Sequence, residues 1–407
     1  MTVTTQNGTA RRRAPALDVA VVGGGMTGAA AALALARAGF ATALLEARQP
    51  KAWNLDDEVD LRVVGLAPSS IALLQQLGVW TSICDARCSR YTHMHVWDAE
   101  SGAAIDFDAA DSGDDVLGCI VENRLVQWTL WNALSAAGVR VSCPAQVAGM
   151  QAEEDRIGLH LVDGGTLSAR AVVAADGAAS PLRQLTGIAT RGHDYAQRAV
   201  VAHVVTEQPH QHTAWQRFLR GGPLALLPLA DGRSSIVWSL PAVEAQRVLA
   251  LDDHAFMDTL GAASDFRLGR MLASTPRAAF PLKLQMATSY QAPRMVLLGD
   301  AAHVVHPLAG QGVNLGLRDV SELRDTLLAA RVAGRDIGAA HVLRRYARRR
   351  RSADTLDALS FDALQRVYAW KALPLVAARD VGMRLLDHLS PIKRRIAEHA
   401  AGVGLRP

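Results

Sequence analysis

Two glycine-rich stretches, set most of the chain apart, constrain this sequence more than any other feature. The first, Gly23-Gly24-Gly25-Met26-Thr27-Gly28, has the spacing G-x-G-x-x-G and directly follows the apolar run Leu17 to Val22. An alanine-rich stretch from Met26 to Ala38 comes next, with Arg37 in its last turn and Gly39 just beyond. This order predicts a buried strand, a tight turn and a helix in immediate succession. Such a turn lets a pyrophosphate approach the free N–H groups at the helix start. Phe40 to Leu45 reads as a second buried strand, and Glu46 at its end stands eighteen residues after Gly28. An acid there can accept hydrogen bonds from a ribose diol. The alternative, a glycine turn needed only for helix packing, leaves the register of strand, helix and acid unexplained.

The second stretch runs from Gly299 to Gly316 and contains Asp300, His303, His306, Pro307, Gly310, Gln311, Gly312 and Asn314. A short apolar run, Met295 to Leu298, delivers Asp300 to a strand end, and a glycine-rich loop then opens a new helix. A nicotinamide cofactor does not require this second site, whereas FAD does. The first fingerprint suits its ADP half, Asp300 suits ribityl hydroxyls, and a helix start suits the negative charge of a reduced flavin ring. A third element, Ala175-Asp176-Gly177 with Ser180 and Arg183 close behind, also follows a buried run, Ala171 to Ala175. An ordinary Asp-Gly turn is its plain reading.

With 407 residues, half of them apolar and one in five charged, the chain can bury a large core in roughly two domains. Between about 181 and 290 the texture changes to alternating runs, Ala199 to Val205, Leu224 to Leu229 and Ser235 to Leu240, with turn signals at Gly221-Gly222 and Asp231-Gly232. That pattern predicts an antiparallel sheet. After Gly316 the pattern is helical, broken at Pro374 and Pro391. The expected fold class is α/β: a Rossmann-like FAD-binding domain, an inserted antiparallel β-sheet substrate domain and a helical C-terminus. The expected boundaries are a loose basic arm at 1–16; a discontinuous FAD-binding domain at 17–75, 100–180 and 291–370; a substrate domain at 76–99 and 181–290; and a C-terminal helical segment at 371–407.

Cys84, Cys88, Cys119 and Cys143 lack the spacing of a disulfide framework, and Cys84 with Cys88 has no second pair for a zinc site, so no metal is expected and buried free thiols in a cytoplasmic protein are. Neither an export signal nor a run of about 18 apolar residues is read. Membrane contact would then be peripheral, at the inner face. The net charge of +4 is spread through the chain, which argues against a nucleic-acid partner.

Together the glycine fingerprint with Glu46, the Asp176-Gly177 element and the Gly299 to Gly316 run resemble the three flavin motifs of single-component aromatic monooxygenases with the p-hydroxybenzoate hydroxylase fold. Within that fold, His306 to Asn314 and Val121-Glu122-Asn123-Arg124 are similar to the ubiquinone-biosynthesis hydroxylases. Thr92 to Asp98 and Ser235 to Leu240 resemble the members that hydroxylate a 2-polyprenylphenol at the first ring position. The resemblance implies that Gly23, Gly25, Gly28 and Glu46 bind the adenosine half of FAD, and that Arg62 and Arg124 approach its pyrophosphate and ribityl region. It implies that Asp300 holds the ribityl chain, with Gly310, Gln311, Gly312 and Asn314 beside the ring, and that Asp176 serves FAD and NAD(P)H together. The reaction it implies is hydroxylation of a polyprenylated phenol in ubiquinone biosynthesis, with NAD(P)H as co-substrate and O2 activated as a flavin C4a-hydroperoxide. Other quinone-pathway proteins and lipid are the further partners it suggests.

His303 and His306 are the acid/base candidates, against the plainer reading that they shape the loop. The run Arg348 to Arg351, with Arg344 and Arg345 before it, reads as a solvated helix face, the alternative being a docking surface for anionic lipid or an acidic partner. Rival readings keep the flavin and change the reaction, as in a small-phenol hydroxylase or a prenyl reductase, or make the chain a non-catalytic flavin-bearing assembly subunit. Halogenation is opposed by the absence of a Trp-x-Trp-x-Ile-Pro element, and disulfide reduction by the absence of a Cys pair after the first helix.

Overall fold

The strands that precede the glycine motifs and the Asp-Gly element all lie in one sheet and end on one row. This is seen in a computed structural model that describes residues 16–305 and 311–369. Leu17–Val22 lies parallel between Thr166–Ala174 and Thr42–Leu45, with Val22 opposite Ala174 on one side and Leu45 on the other. Met295–Leu297 adds parallel to the far side of Thr166–Ala174, with Leu297 opposite Ala174, and Arg140–Ser142 flanks Thr42–Leu45. Gly23, Glu46, Ala175-Asp176 and Gly299-Asp300 therefore leave the same C-terminal edge, where open parallel sheets bind ligands.

The helix Met26–Arg37 packs on this sheet through a run of buried residues from Gly28 to Leu35. Alanines dominate that run. Their small size lets the helix lie close to the sheet while the helices Asn123–Ala136 and Gln311–Val332 pack on it from outside. Alanine also costs no side-chain entropy in a helix, so the tight packing and the local preference agree.

A second sheet carries the residues expected to form an antiparallel domain. Its spine is Thr190–Thr206, Ser234–Pro241, Gly222–Pro228 and Thr213–Leu219, joined antiparallel. One expectation is corrected here: Thr213–Leu219 pairs parallel with His93–Asp98, so the sheet is mixed. The helices Ala242–Leu249 and Asp253–Ala263 cover one face over Val200, Leu224, Leu226, Ile236 and Trp238. Ala225, Leu227 and Leu229 pack on the other side against a three-stranded sheet of Val63–Leu66, Gly118–Glu122 and Ser89–Tyr91. Burial on both faces is why these strands are apolar at nearly every position.

Two boundaries shift as well. Trp80 and Ile83, expected with the substrate domain, belong to the core around the first helix. Ala104–Asp108, expected with the FAD-binding domain, pairs with His93–Asp98 in the second sheet. Hydrogen bonding decides the second case, and a buried aromatic the first. The cysteines are all free, but of the four only Cys119 is buried; the others are half-buried. The amino-terminal arm to residue 15, His306, Gly310 and the segment from 371 onward lie outside the described residues.

Candidate cofactor site

Of the three glycines at the G-x-G-x-x-G positions, two have no room for a side chain. Gly23 has φ of 107°, and a Cβ there would lie 2.2 Å from the carbonyl oxygen of Ala175. A Cβ on Gly28 would lie 1.9 Å from the carbonyl oxygen of Gly23. Gly25 differs: no atom lies within 4 Å of its Cβ position, so the approach to the helix start is open. Gly25 is the N-cap, no side chain caps the helix, and the first turn holds no acid. The helix thus presents unsatisfied N–H groups and a partial positive charge to whatever occupies that space. Glu46 stands beside the turn. Its Oε2 accepts from the backbone N–H of Gly24, and its Oε1 from that of Arg48 at 2.9 Å. Gln127 Nε2 donates to the Gly24 carbonyl at 3.0 Å, locking the other side of the loop.

Arg62 and Arg124 come from neighbouring elements. Asn123 N–H donates to the carbonyl of Arg62 at 3.0 Å, and the Arg62 guanidinium lies 5.4 Å over the ring of Phe280 in the second sheet. Arg124 pairs with Asp57 at 2.9 Å, yet its Nε is buried without a hydrogen-bond partner among the described residues. Asn123 Oδ1 and Ser69 Oγ are buried and orphaned in the same way. Buried polar atoms are nearly always satisfied, so three orphans on the segments 62–70 and 123–124 indicate a polar ligand. Glu122, quoted in the sequence only as part of the Val121 to Arg124 run and given no role there, has one in the structure. It is buried, and it accepts from Trp53 Nε1 at 3.2 Å, Arg87 at 3.1 Å and Asp60 N–H at 2.7 Å, which fixes the loop that leads to Arg62.

The two glycine motifs meet around Thr27. A Cβ on Gly299 would lie 3.1 Å from Thr27 Cγ2, and one on Gly316 would lie 2.8 Å from Thr27 Oγ1. Asp300 sits in a 3-10 turn, Gly299–Ala301, as an exposed residue. Protein closes around it enough that desolvation raises its pKa, while His303 and Arg62 pull the other way. An acid that water still reaches inside a walled recess fits both observations. Gln311 opens the helix Gln311–Val332, and Gly312 leaves its Cβ space empty. Asn314 faces inward instead. Its Oδ1 accepts from Ala67 N–H at 2.9 Å and Ser70 Oγ at 2.7 Å, and its Nδ2 donates to the Gly65 carbonyl at 2.8 Å. All of its side-chain bonds hold the helix to residues 65–70. Asp176 also works locally, accepting from Ser180 Oγ at 2.5 Å and Leu182 N–H at 3.0 Å. Arg183, buried, donates to the carbonyls of Ala301 and Ala178, both at 2.7 Å, tying the Asp-Gly element to the Asp300 turn.

Behind that turn His303 is buried, with Nε2 2.7 Å from Asp319 Oδ2 and 3.5 Å from Asp354. Burial opposes its charge, but Asp354 and Asp319 outweigh burial and raise its pKa to about 9. His303, Asp319 and Asp354 have metal-ligand character and lie close together. The Arg350 guanidinium already supplies the cation, bonding to Asp319 and Asp354 at 2.5 Å each. Arg350 corrects the expectation of a solvated arginine face: it is buried, while Arg344, Arg345, Arg348, Arg349 and Arg351 are exposed. None of these partners was legible except in hindsight from the i, i+4 spacing of Arg350 and Asp354.

The second sheet reaches this edge through Ala278–Ala287. Gln285 Nε2 donates to the Ala178 carbonyl at 2.8 Å, and Met286 pairs with His303. Because Val200, Ala202 and Val204 turn toward the helices, Ala199 and Val201 take the other face, where Val201 pairs with Val237, and Val237 with Ala225.

Known proteins match this arrangement over most of its length. A family model described as the FAD binding domain matches residues 16–356. The 3-demethoxyubiquinol 3-hydroxylase of Escherichia coli is 35% identical over 389 residues, 95% of this chain and 98% of its own length. The mitochondrial ubiquinone biosynthesis monooxygenase COQ6 of Mus musculus is 36% identical, covering 94% of this chain and 90% of its own. Among solved structures, p-nitrophenol 4-monooxygenase of Pseudomonas putida superposes with a TM-score of 0.74 at 18% identity, covering 96% of this chain and 99% of its own. HpxO of Klebsiella pneumoniae, solved with FAD, gives 0.72 at 20% identity over 95% and 98% of the two chains. At that identity the last two show a shared fold.

Proposed function

Because the chain belongs to the FAD-binding-domain family, alongside the FAD-dependent hydroxylases of ubiquinone biosynthesis, we propose that it hydroxylates the ring of a polyprenylated phenol in that pathway, with NAD(P)H and O2 as co-substrates. The observation that carries this reading is the meeting of both glycine motifs around Thr27 at one sheet edge. A nicotinamide cofactor needs one such turn, and a cofactor with a flavin at its far end uses both. The residues present fit FAD: an uncapped helix start beside Gly25, and buried orphaned atoms on Arg124, Asn123 and Ser69.

FAD, when bound, supplies the redox chemistry of the hydroxylation. The chain's own residues bind, orient and exclude water. We assign Gly23, Gly25 and Gly28 to the close approach of the pyrophosphate, and Glu46 to the ribose hydroxyls. Arg62 and Arg124 are assigned to the diphosphate and ribityl region, Asp300 to the ribityl chain, and Gln311 and Gly312 to the neighbourhood of the ring. Asn314 acts on this site through the backbone it holds. For Asp176 a role toward FAD and NAD(P)H is compatible with its local bonds, since each carboxylate oxygen keeps a further lone pair.

The substrate's tail is argued from the second sheet. Ala199, Val201, Val237 and Phe280 share its inner face, and the guanidinium that lies over Phe280, that of Arg62, is assigned above to the cofactor. A carboxylated small phenol would need a cation there. Each methylene-sized group buried contributes on the order of 0.8 kcal/mol, so affinity should climb with tail length. No helix among the described residues is long and apolar enough to cross a membrane, and we place any lipid contact on the exposed arginines 344, 345, 348 and 351. Oxygen uptake by the FAD-loaded protein with NADPH tests the reading. We expect stimulation and a ring-hydroxylated product with alkylphenols, rising with tail length. A preference for p-hydroxybenzoate over tailed phenols would overturn the substrate assignment.

A further inference from the structure

We infer that His303, Asp319, Arg350 and Asp354 form a buried clamp that positions the Asp300 turn for the cofactor, so that side chains behind the turn, reaching to Arg350 and Asp354 on the next helix, set FAD affinity. One oxygen, Asp319 Oδ2, accepts from the backbone N–H of Gly299 at 2.9 Å and lies 2.7 Å from His303 Nε2. A single carboxylate thus grips the chain on both sides of Asp300. Its other oxygen accepts from Arg350 Nε, and Arg350 in turn bonds Asp354 one helical turn further on. Tyr346, one turn before Arg350, donates to the Leu297 carbonyl at 3.0 Å and holds the strand that feeds the turn.

Four buried charges are a poor device for stability alone. Desolvation of each ion costs several kilocalories per mole, and apolar packing of equal volume is often as stable or better. What the charges supply is fixed geometry, because Asp319 must satisfy Gly299, His303 and Arg350 at once and has one arrangement that does so. The paired imidazolium of His303 also stands close enough to Asp300 to favour its ionised form. Arg350 bonds the Oδ1 atoms of Asp319 and Asp354, while Asp354 Oδ2 lies 3.5 Å from His303 Nε2 and has no hydrogen-bond partner among the described residues.

This inference rests on the reading that Asp300 contacts FAD, and the test separates the two. Apoprotein is titrated with FAD by flavin fluorescence quenching, for the wild type, Asp300→Ala, Asp319→Asn, Arg350→Lys and Phe256→Leu. The last is a core control on the helix Asp253–Ala263 that covers the second sheet, where Phe256 is fully buried. Melting temperature and the visible spectrum of the bound flavin are recorded for each. Asp319→Asn should raise the FAD dissociation constant about ten- to hundredfold and shift the flavin bands. Arg350→Lys, which keeps the charge, should fall between it and the wild type. Phe256→Leu should lower the melting temperature while leaving FAD affinity and spectrum at wild-type values. If Asp319→Asn does not fold, the Arg350→Lys result decides alone. Weakened binding in Asp300→Ala with wild-type binding in Asp319→Asn and Arg350→Lys overturns the clamp. So does a control that loses as much FAD affinity as they do. Wild-type binding in Asp300→Ala overturns the site reading instead.

Discussion

At the Gly23–Gly28 turn the chain shapes its backbone by omitting side chains, whereas at the Gly299–Asp300 turn it holds the backbone with buried charges. The first turn is pressed between Ala175 and the helix start, and its geometry is forced by contacts of 1.9 and 2.2 Å that any Cβ would make. The second turn is held from behind by Asp319, His303 and Arg183. The six residues of the first include no titrating side chain. The second depends on the protonation of an imidazole and the burial of Arg350, fifty positions after Asp300 and on another helix. Sterics make a turn rigid at no electrostatic cost, and charge makes one adjustable.

The largest effect that sharpens this contrast belongs to the steric turn. Gly28→Ala should destabilise the folded apoprotein by about 3 kcal/mol or prevent folding, since backbone must move to admit the methyl. Gly25→Ala, with open space beside it, should leave the denaturation midpoint near the wild-type value while weakening FAD binding. Equal loss of stability in both variants would erase the distinction.

The charged turn should instead respond to pH. His303 has its folded pKa raised to about 9, above the value near 6.5 of an unfolded histidine. Its contribution is therefore fully present below about pH 6.5 and is lost as pH rises through about 9, on the order of 2 to 3 kcal/mol. Asp319 is shifted downward by His303 and Arg350 despite its burial, so its own contribution is lost only under strong acid. Urea denaturation of the apoprotein across pH 6 to 9.5 should show this fall, and His303→Gln should flatten it. A wild-type slope unchanged by that substitution would mean that the imidazole does not carry the charge.

Glu46→Ala is expected to have a smaller effect, confined to the ligand. It should weaken FAD binding by about 1 to 3 kcal/mol, the scale of charged hydrogen bonds, with little change in melting temperature. Unchanged affinity would remove Glu46 from the adenosine end.

The same contrast explains what could be read from residue order. The fingerprint, Glu46 and the Asp300 strand are local patterns, because glycine, alanine and a strand-end acid act within a few residues of themselves. The sheet edge on which they converge followed from strand order. The clamp was illegible because Asp319, Arg350 and Asp354 find His303 only through packing between two helices, and Arg350 stands in a run of arginines whose other members face solvent. Asn314 stands in a motif that marks the ring site, yet its side chain bonds Gly65, Ala67 and Ser70, for residue type gave its place in the helix and not its direction. The pairing of Ala104–Asp108 with His93–Asp98, across the expected 76–99 and 100–180 segments, was hidden for a related reason: short strands take their sheet from a partner, not from their own texture.

The central claim is that two turns 277 positions apart hold the two ends of one FAD molecule. Calorimetric titration of the Asp300→Ala apoprotein with FAD and, separately, with ADP tests it most directly. The account predicts that FAD affinity falls about tenfold or more while ADP, which reaches only the Gly23–Gly28 end, binds as it does to the wild type. Wild-type affinity for FAD in that variant, or an equal loss for ADP, would contradict it.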